Sequence, residues 1–158
     1  MKKIALKKGA LEASVGFHVT LAKLTTDQLF QSSIGERFSL RPVEYTLLVL
    51  LQENSSLTPK QLSSSLALSG PLLTQLLDRV QERGWISRER NEQDGRSQKV
   101  ALTPAGVKLA KSLIATPPDA DLERCLSAAE RAMLVELLGK VAAHRLAGEA
   151  PPKAEPKR

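Results

Sequence analysis

The sequence contains little cysteine, histidine or aromatic residue. One of its 158 residues is cysteine, Cys125, and two are histidine, so we expect neither a disulfide framework nor a zinc site. Aromatic side chains make up 3% of the chain, and a core built mainly from Leu, Val and Ala favours helices over a β-sandwich. No apolar run approaches the roughly 20 residues that cross a bilayer, and the first residues are too interrupted for a secretory signal. We therefore expect a cytoplasmic protein.

The charge of the chain and its missing catalytic motifs limit the function classes. The net charge of +6 suits a polyanionic partner. Much of the excess, however, lies near the ends of the sequence, at Lys2, Lys3, Lys7, Lys8, Lys153, Lys157 and Arg158. The sequence shows no nucleophile paired with a base, no phosphate-binding loop and no metal cluster. We expect a binding protein without a cofactor, and not an enzyme.

Apolar spacing predicts two helices in the first third of the chain. Residues 11–32 carry apolar side chains at helical spacing and are followed by the connection "SSIGERFSLRP". From Pro42, "PVEYTLLVLLQEN" is typical of a buried second helix, because proline suits the first helical turn. The polar "ENSS" then predicts a tight turn.

The next segment predicts two helices joined by a short turn. Thr58 can cap a third helix over residues 59–67, and Gln61 completes a capping box. Ser69 is expected to cap a fourth helix that ends at Gly84. The fourth helix has a stripe of Leu73, Leu76, Leu77 and Val80, and an opposite face of Thr74, Gln75, Asp78 and Arg79. This pattern predicts a helix-turn-helix, and its polar face is the candidate for reading a DNA groove.

A hairpin and two further helices follow. "WISRER" and "QKVALT" alternate around the turn segment "NEQDGRS", which predicts a β-hairpin or wing. Thr103 caps a helix that Pro117 and Pro118 should stop near Ala115. A capping box at residues 127–130 opens a last helix. Its apolar stripe could pack in the chain's own core or against other helices, and consists of Met133, Leu134, Leu137, Leu138 and Val141.

The segment "LLDRVQERGWISRERNEQDGRSQKVALTPAG" resembles the multiple antibiotic resistance regulator (MarR) family. The matching features are the Asp78-Arg79 pair, "ERGW", Arg88, Asp94 with Arg96, and "LTPAG". "LRPVEYTLLVLL" and "LSAAERAMLVELLGKV" resemble the family's second and last helices, so that the resemblance covers residues 11–146. It implies a homodimeric transcriptional regulator, most simply a repressor, which binds double-stranded DNA at a pseudo-palindromic operator.

The fold class implied is mainly α with a small β-wing, a winged helix-turn-helix domain plus a helical dimerisation region. Residues 1–36 are expected to form an N-terminal arm and the first dimerisation helix, and residues 37–103 the DNA-binding domain. Residues 104–146 would supply the C-terminal dimerisation helices. Residues 147–158 are rich in Pro, Lys and Glu and are expected to be a disordered tail.

Eleven residues are candidates for DNA contact. A helix in the major groove can read adenine with Gln75, guanine with Arg79, and phosphate or a thymine methyl with Thr74; Arg79 could instead pair with an acid such as Asp94. Helix N-termini attract phosphate or are simply capped. Arg96 could enter a narrow minor groove or be a solvated turn charge. The full set is Lys60, Ser69, Gly70, Leu72, Thr74, Gln75, Arg79, Asp94, Arg96, Ser97 and Gln98.

The resemblance also implies an effector. In many relatives an aromatic acid, a phenol or an acyl-thioester binds between the dimerisation helices and the winged domain and lowers DNA affinity. The matching positions here are Phe17, His18, Leu21 and Tyr45, although His18 could equally be an ordinary core or surface residue.

Two single residues and one rival function complete the predictions. Trp85 is expected to anchor the wing in the core and not to stack on bases, and Cys125 to be a small buried hydrophobe and not a redox switch. The rival function is a winged-helix module that binds proteins and has no operator.

Overall fold

The computed structural model describes residues 7–90, 98–118 and 120–147, and most of them are helical. The described residues up to 118 form one compact unit, and those from 120 onward form a second. The expected fold class, mainly α with a small β-wing, is confirmed. Within the described ranges, no helix is both long and apolar enough to cross a membrane.

The first helical segment extends beyond the predicted residues 11–32 at both ends, and its α-helical part starts later, at Val15. Ser14 caps it, because its hydroxyl accepts a hydrogen bond from the Phe17 amide at 3.3 Å. A Ser39 backbone in the left-handed region, with φ 52, ends it. The segment consists of a 3-10 turn, α1, a π-helical turn and α2, at Gly9–Ala13, Val15–Phe30, Gln31–Gly35 and Glu36–Phe38.

The second helix, α3, spans Pro42–Asn54 and starts with its proline in the first turn, as predicted. It contributes three buried leucines to the core, Leu47, Leu48 and Leu51. A short strand, β1 (Ser56–Leu57), follows it. The strand was not predicted, since two residues show no alternation.

The helix-turn-helix is confirmed as α4 (Pro59–Leu66) and α5 (Gly70–Glu82). The predicted capping box is present: the Gln61 amide donates to Thr58 Oγ1 at 3.3 Å, and the Thr58 amide donates to Gln61 Oε1 at 2.8 Å. The predicted cap at Ser69 is wrong in part, because Ser69 stands at the N-cap position but its side chain makes no capping hydrogen bond. Proline at position 71 removes one of the two amides to which such a side chain binds.

The predicted hairpin is confirmed as β2 (Ile86–Arg90) and β3 (Gln98–Leu102), which pair antiparallel. β1 pairs with the other edge of β3, so the sheet has the order β1-β3-β2. Ile86 and Val100 are buried on its inner face. The hairpin is thereby fixed to the helical core.

The helix after the wing, α6, spans Pro104–Ile114, and the predicted stop near Ala115 is confirmed. Thr103 caps it by accepting from the Gly106 amide at 3.1 Å. A Cβ atom at Gly106 would lie 2.0 Å from the Trp85 carbonyl oxygen. Glycine is therefore required where α6 approaches the end of α5.

The second unit contains a 3-10 turn at Ala120–Arg124 and the helix α7 (Ala128–Ala147). Its predicted capping box is confirmed, with the Ser127 amide donating to Glu130 Oε2 at 2.8 Å. The prediction that Cys125 is buried is wrong: it is free and exposed. A short turn and one helix provide no second layer that could cover it.

Candidate nucleic-acid interface

The helix α5, which was predicted as the fourth helix, has a polar face toward solvent. Its apolar residues pack against the core on the opposite side. Leu73, Leu76, Leu77 and Val80 are buried at helical spacing. The outward face is exposed at Leu72, Thr74, Gln75 and Asp78. We call α5 the recognition helix. Its N-terminal half therefore has the shape and exposure that entry into a DNA major groove requires.

The turn before the recognition helix is held by hydrogen bonds. Ala67 adopts φ 52 and ends α4. The Ser63 hydroxyl donates to the Leu68 carbonyl at 2.6 Å, and the Leu68 amide donates to the Ser63 carbonyl at 3.1 Å. These two bonds hold the end of α4 and the turn that leads into the recognition helix.

Arg79, an expected base reader, is directed inward. Its Nε atom donates to Glu44 Oε1 at 2.6 Å, and Glu44 on α3 is only 2% exposed. The other Glu44 oxygen accepts the Arg41 amide at 2.8 Å. Of the two possibilities weighed for Arg79, an ion pair is observed, and the acid is Glu44. This partly buried contact was missed because its partners are 35 residues apart.

Two more arginines connect the recognition helix to its surroundings. Arg88 of β2 is 15% exposed, and its Nη2 atom donates to Asp78 Oδ1 at 2.5 Å. Arg83 Nη1 donates to the Ser39 carbonyl at 2.7 Å. The Asp78-Arg88 pair fixes the first wing strand to the recognition helix.

The C-terminal end of the recognition helix is also fixed. Gly84 has φ 74, and the Trp85 amide donates to the Val80 carbonyl at 3.3 Å, which is a Schellman arrangement. The Thr103 hydroxyl donates to the Gly84 carbonyl at 2.6 Å. Trp85 packs against the core, as predicted, and Arg83 covers its ring at 3.8 Å.

The remaining DNA candidates lie at the edges of this surface. Lys60, Ser69 and Gly70 are exposed at the N-termini of α4 and α5. Gln98 is exposed at the start of β3, beside an exposed Lys99 that the sequence analysis did not single out. Alternation along the strand could have identified Lys99. Asp94, Arg96 and Ser97 lie outside the described residues.

A cavity of about 210 Å³ lies beside the same core. Its lining is formed by Thr26, Asp27, Phe30, Pro42, Tyr45, Thr46 and Pro118. Of the four expected effector residues, Tyr45 lines this cavity, and Phe17, His18 and Leu21 do not. Phe17 precedes Phe30 by almost four helical turns, about 20 Å along α1. His18 Nε2 instead lies 2.9 Å from the Glu12 carbonyl oxygen. The described part of the chain contains no group of side chains suited to a metal ion.

A helix-turn-helix followed by an antiparallel hairpin on one leucine core is a winged helix-turn-helix. Comparison with known proteins agrees. The MarR family model matches residues 40–98. The multiple antibiotic resistance protein MarR of Salmonella typhimurium is 32% identical over 101 residues, 62% of this chain and 70% of that protein. The organic hydroperoxide resistance transcriptional regulator of Bacillus subtilis is 33% identical over 82 residues, 52% of this chain, and the chain spans 56% of that relative.

The chain is also similar in fold to a solved structure. The transcriptional repressor CouR, bound to a 23-mer DNA duplex, matches with a TM-score of 0.76 and 28% identity, over 87% of this chain and 98% of that one. The chain belongs to the MarR family of transcriptional regulators. The Bacillus subtilis relative is a transcriptional regulator and CouR is a transcriptional repressor.

Proposed function

We propose that the chain is a transcriptional repressor that binds a pseudo-palindromic DNA operator as a homodimer, with one recognition helix in each of two major-groove half-sites. The observation that carries this proposal is the exposed face of α5, which is backed by four buried core residues and flanked by two ion pairs. That CouR, a structural relative, is a repressor bound to duplex DNA supports it.

The proposed contacts follow the exposure of the side chains. Leu72, Thr74 and Gln75 would meet base edges, whereas Lys60, Ser69, Gly70 and Gln98 would meet phosphates. Asp94, Arg96 and Ser97 stay predicted wing contacts. We propose that Arg79 positions the recognition helix through Glu44 and does not itself read a base.

Exposed apolar residues on two helices support the homodimer. In the single chain, Val15, Val19 and Leu24 of α1 are exposed. The predicted stripe of α7 is exposed as well, at Met133, Leu134, Leu137, Leu138 and Val141. Exposed apolar side chains grouped on one helix are typical of an interface, and we propose that a second copy of the chain covers each of these two helix faces.

The cavity beside Tyr45 supports a small effector that changes DNA affinity. Its volume of about 210 Å³ is below the ~300–1,000 Å³ of typical drug-sized sites, which favours a single-ring compound over an acyl-thioester. Asp27 is the one charged residue in the lining. Asp27 pairs with the exposed Lys23, and its carboxylate keeps lone pairs that accept a hydrogen bond from a phenol, whereas it offers an aromatic acid no donor. A phenol is therefore the proposed effector class.

The rival function, a protein-interaction module without an operator, is distinguished by salt dependence. We expect the chain to bind DNA from upstream of its own gene in mobility-shift assays, with an affinity that falls steeply as salt rises, because phosphate contacts release counterions. Lys60→Ala should reduce the slope of log K against log salt by about 1. Lys23→Ala, on exposed α1, is the control and should leave the slope unchanged. The absence of binding at low salt would favour the rival function.

The effector proposal is tested with the same protein. A panel of phenols, aromatic acids and thioesters is added to the protein–DNA complex, and the released fraction is measured. Phenols should release DNA at lower concentrations than the matching acids. Asp27→Asn should narrow this difference, because the asparagine amide offers an aromatic acid the donor that the carboxylate lacks. A preference for acids that Asp27→Asn leaves unchanged would place the effector elsewhere.

A further inference from the structure

Three of the arginines on or beside the recognition helix that the structure describes, Arg79, Arg83 and Arg88, make contacts within the protein. Arg79 donates to the buried Glu44, Arg88 to Asp78, and Arg83 to the Ser39 carbonyl. Guanine presents two acceptors, O6 and N7, in the major groove, and a guanidinium group is their usual partner. Arg79 is the side chain best suited to read guanine. Its side chain is 36% exposed, but Glu44 holds its Nε atom, so the guanidinium group is not free to turn toward a guanine.

The side chains that stay exposed in the first half of α5 have a different chemistry. Leu72 is 53% exposed and apolar, and Gln75 is exposed with an amide group. The Thr74 hydroxyl donates to the Gly70 carbonyl at 3.1 Å, so its hydrogen is engaged within the helix while the methyl group stays available. This surface offers two apolar groups and one amide.

These groups match one kind of base pair. An amide both accepts and donates, as adenine requires at N6 and N7, whereas the thymine C5-methyl group is contacted by apolar side chains. We propose that the recognition helix selects A·T pairs, with Gln75 on adenine and with Leu72 and the Thr74 methyl group on thymine methyls. The inference rests on the proposed function and specifies the half-site that the protein recognises.

Exposed single leucines are common on protein surfaces, so exposure alone would not single out Leu72. Its place does. N-terminal residues of a recognition helix are those that contact base edges, and Leu72 is the third residue of α5. Its three predecessors in the chain, Ser69, Gly70 and Pro71, are also exposed. A thymine methyl group would cover an apolar side chain that water otherwise surrounds.

The test begins with selection from a random double-stranded DNA library by the full chain, followed by binding measurements on the selected duplex. We expect A·T pairs at the centre of each half-site. Replacing a contacted thymine with deoxyuridine, which lacks only the methyl group, should weaken binding about three- to fivefold, as the loss of one buried methyl group predicts. Gln75→Ala should reduce discrimination against G·C at one position of each half-site by about tenfold.

Combining a protein variant with the deoxyuridine replacement tests whether Leu72 is the residue that contacts the thymine methyl group. Leu72→Ala should be insensitive to the deoxyuridine replacement, whereas the control Gln81→Ala, exposed in the last turns of α5, should retain the full effect. Leu72 lies outside the core, so the variant is expected to fold. If Leu72→Ala keeps the sensitivity, or if the selected half-sites have G·C pairs at their centres, the inference is overturned. A library that yields no enriched sequence contradicts the proposed function and, with it, this inference.

Discussion

Glu44 is a charged side chain in a leucine core, and its two hydrogen bonds explain how it is accommodated there. It accepts the Arg41 amide at the start of α3 and the Arg79 guanidinium from α5. A buried charge is tolerated when its oxygens are satisfied. One residue thus both caps a helix and sets the position of the recognition helix.

The interaction between Glu44 and Arg79 can be tested by a double-mutant cycle. Arg79→Ala should lower the free energy of unfolding by about 1–3 kcal/mol, because it leaves the Glu44 carboxylate buried with one partner fewer. In a Glu44→Leu background the same substitution should cost much less. Urea unfolding provides the measurement. The exposed Lys23-Asp27 pair is the control, and Lys23→Ala should cost less than about 1 kcal/mol. Strictly additive costs for Arg79 and Glu44 would contradict the coupling.

Gly106 is required by a close approach and not by its backbone angles. We expect Gly106→Ala to destabilise the fold by about 1–3 kcal/mol, since the new methyl group would meet the Trp85 carbonyl oxygen, which cannot rotate away. Gly70→Ala is the matched control, because a Cβ there meets nothing within 4 Å. Thermal unfolding measures the stability of the two variants. Equal stability of both would show that the end of α5 and α6 are less tightly packed than described.

The residues that could be predicted are those whose partners are near in sequence. The caps at Thr58, Thr103 and Ser127 each bind an amide three residues on, and all three were predicted. The Glu44-Arg79 contact could not be predicted, since nothing in the local pattern joins residues so far apart. The same reason explains why Arg79 was assigned to the DNA-facing set.

At the scale of elements, periodicity was sufficient for the helices and the hairpin. The leucine stripe of α5 determined which face is buried, and therefore which face we propose to bind DNA. β1 was missed because its two residues are strand only through pairing with β3. The prediction that Cys125 is buried was wrong because residue type indicates only an average tendency to be buried.

The start of α7 provides a test at this scale. The Ser127 hydroxyl and amide both donate to the Glu130 carboxylate, and they hold the pKa of Glu130 below its ordinary value. A lowered folded-state pKa stabilises the helix start at pH values above the unfolded-state pKa, and this stability is lost as the pH falls through the folded-state pKa.

We expect Ser127→Ala to raise the pKa of Glu130 toward its ordinary value, because the hydroxyl donor is removed. NMR titration of the carboxyl carbon measures this change. Thr58→Ala removes a cap on α4 and should leave the Glu130 titration as it is. If Ser127→Ala does not move the titration, the capping box does not exist in solution.

For the whole molecule, the two apolar helix faces predict self-association. Leu137→Gln should weaken a dimer measurably in sedimentation velocity, because burying each leucine contributes about 1.5–3 kcal/mol and a symmetric dimer contains two copies. Lys140→Gln introduces the same side chain at a charged position of α7 and should leave the association unchanged. A chain that sediments as a monomer at all concentrations would remove the dimer from the proposal.

The most direct measurement is a footprint of the full chain on its selected duplex. The proposed function predicts two protected half-sites, related by two-fold symmetry and centred about one helical turn apart, or a small multiple of it. A single asymmetric protected block, or no protection at low salt, would contradict the proposal that two recognition helices bind one operator.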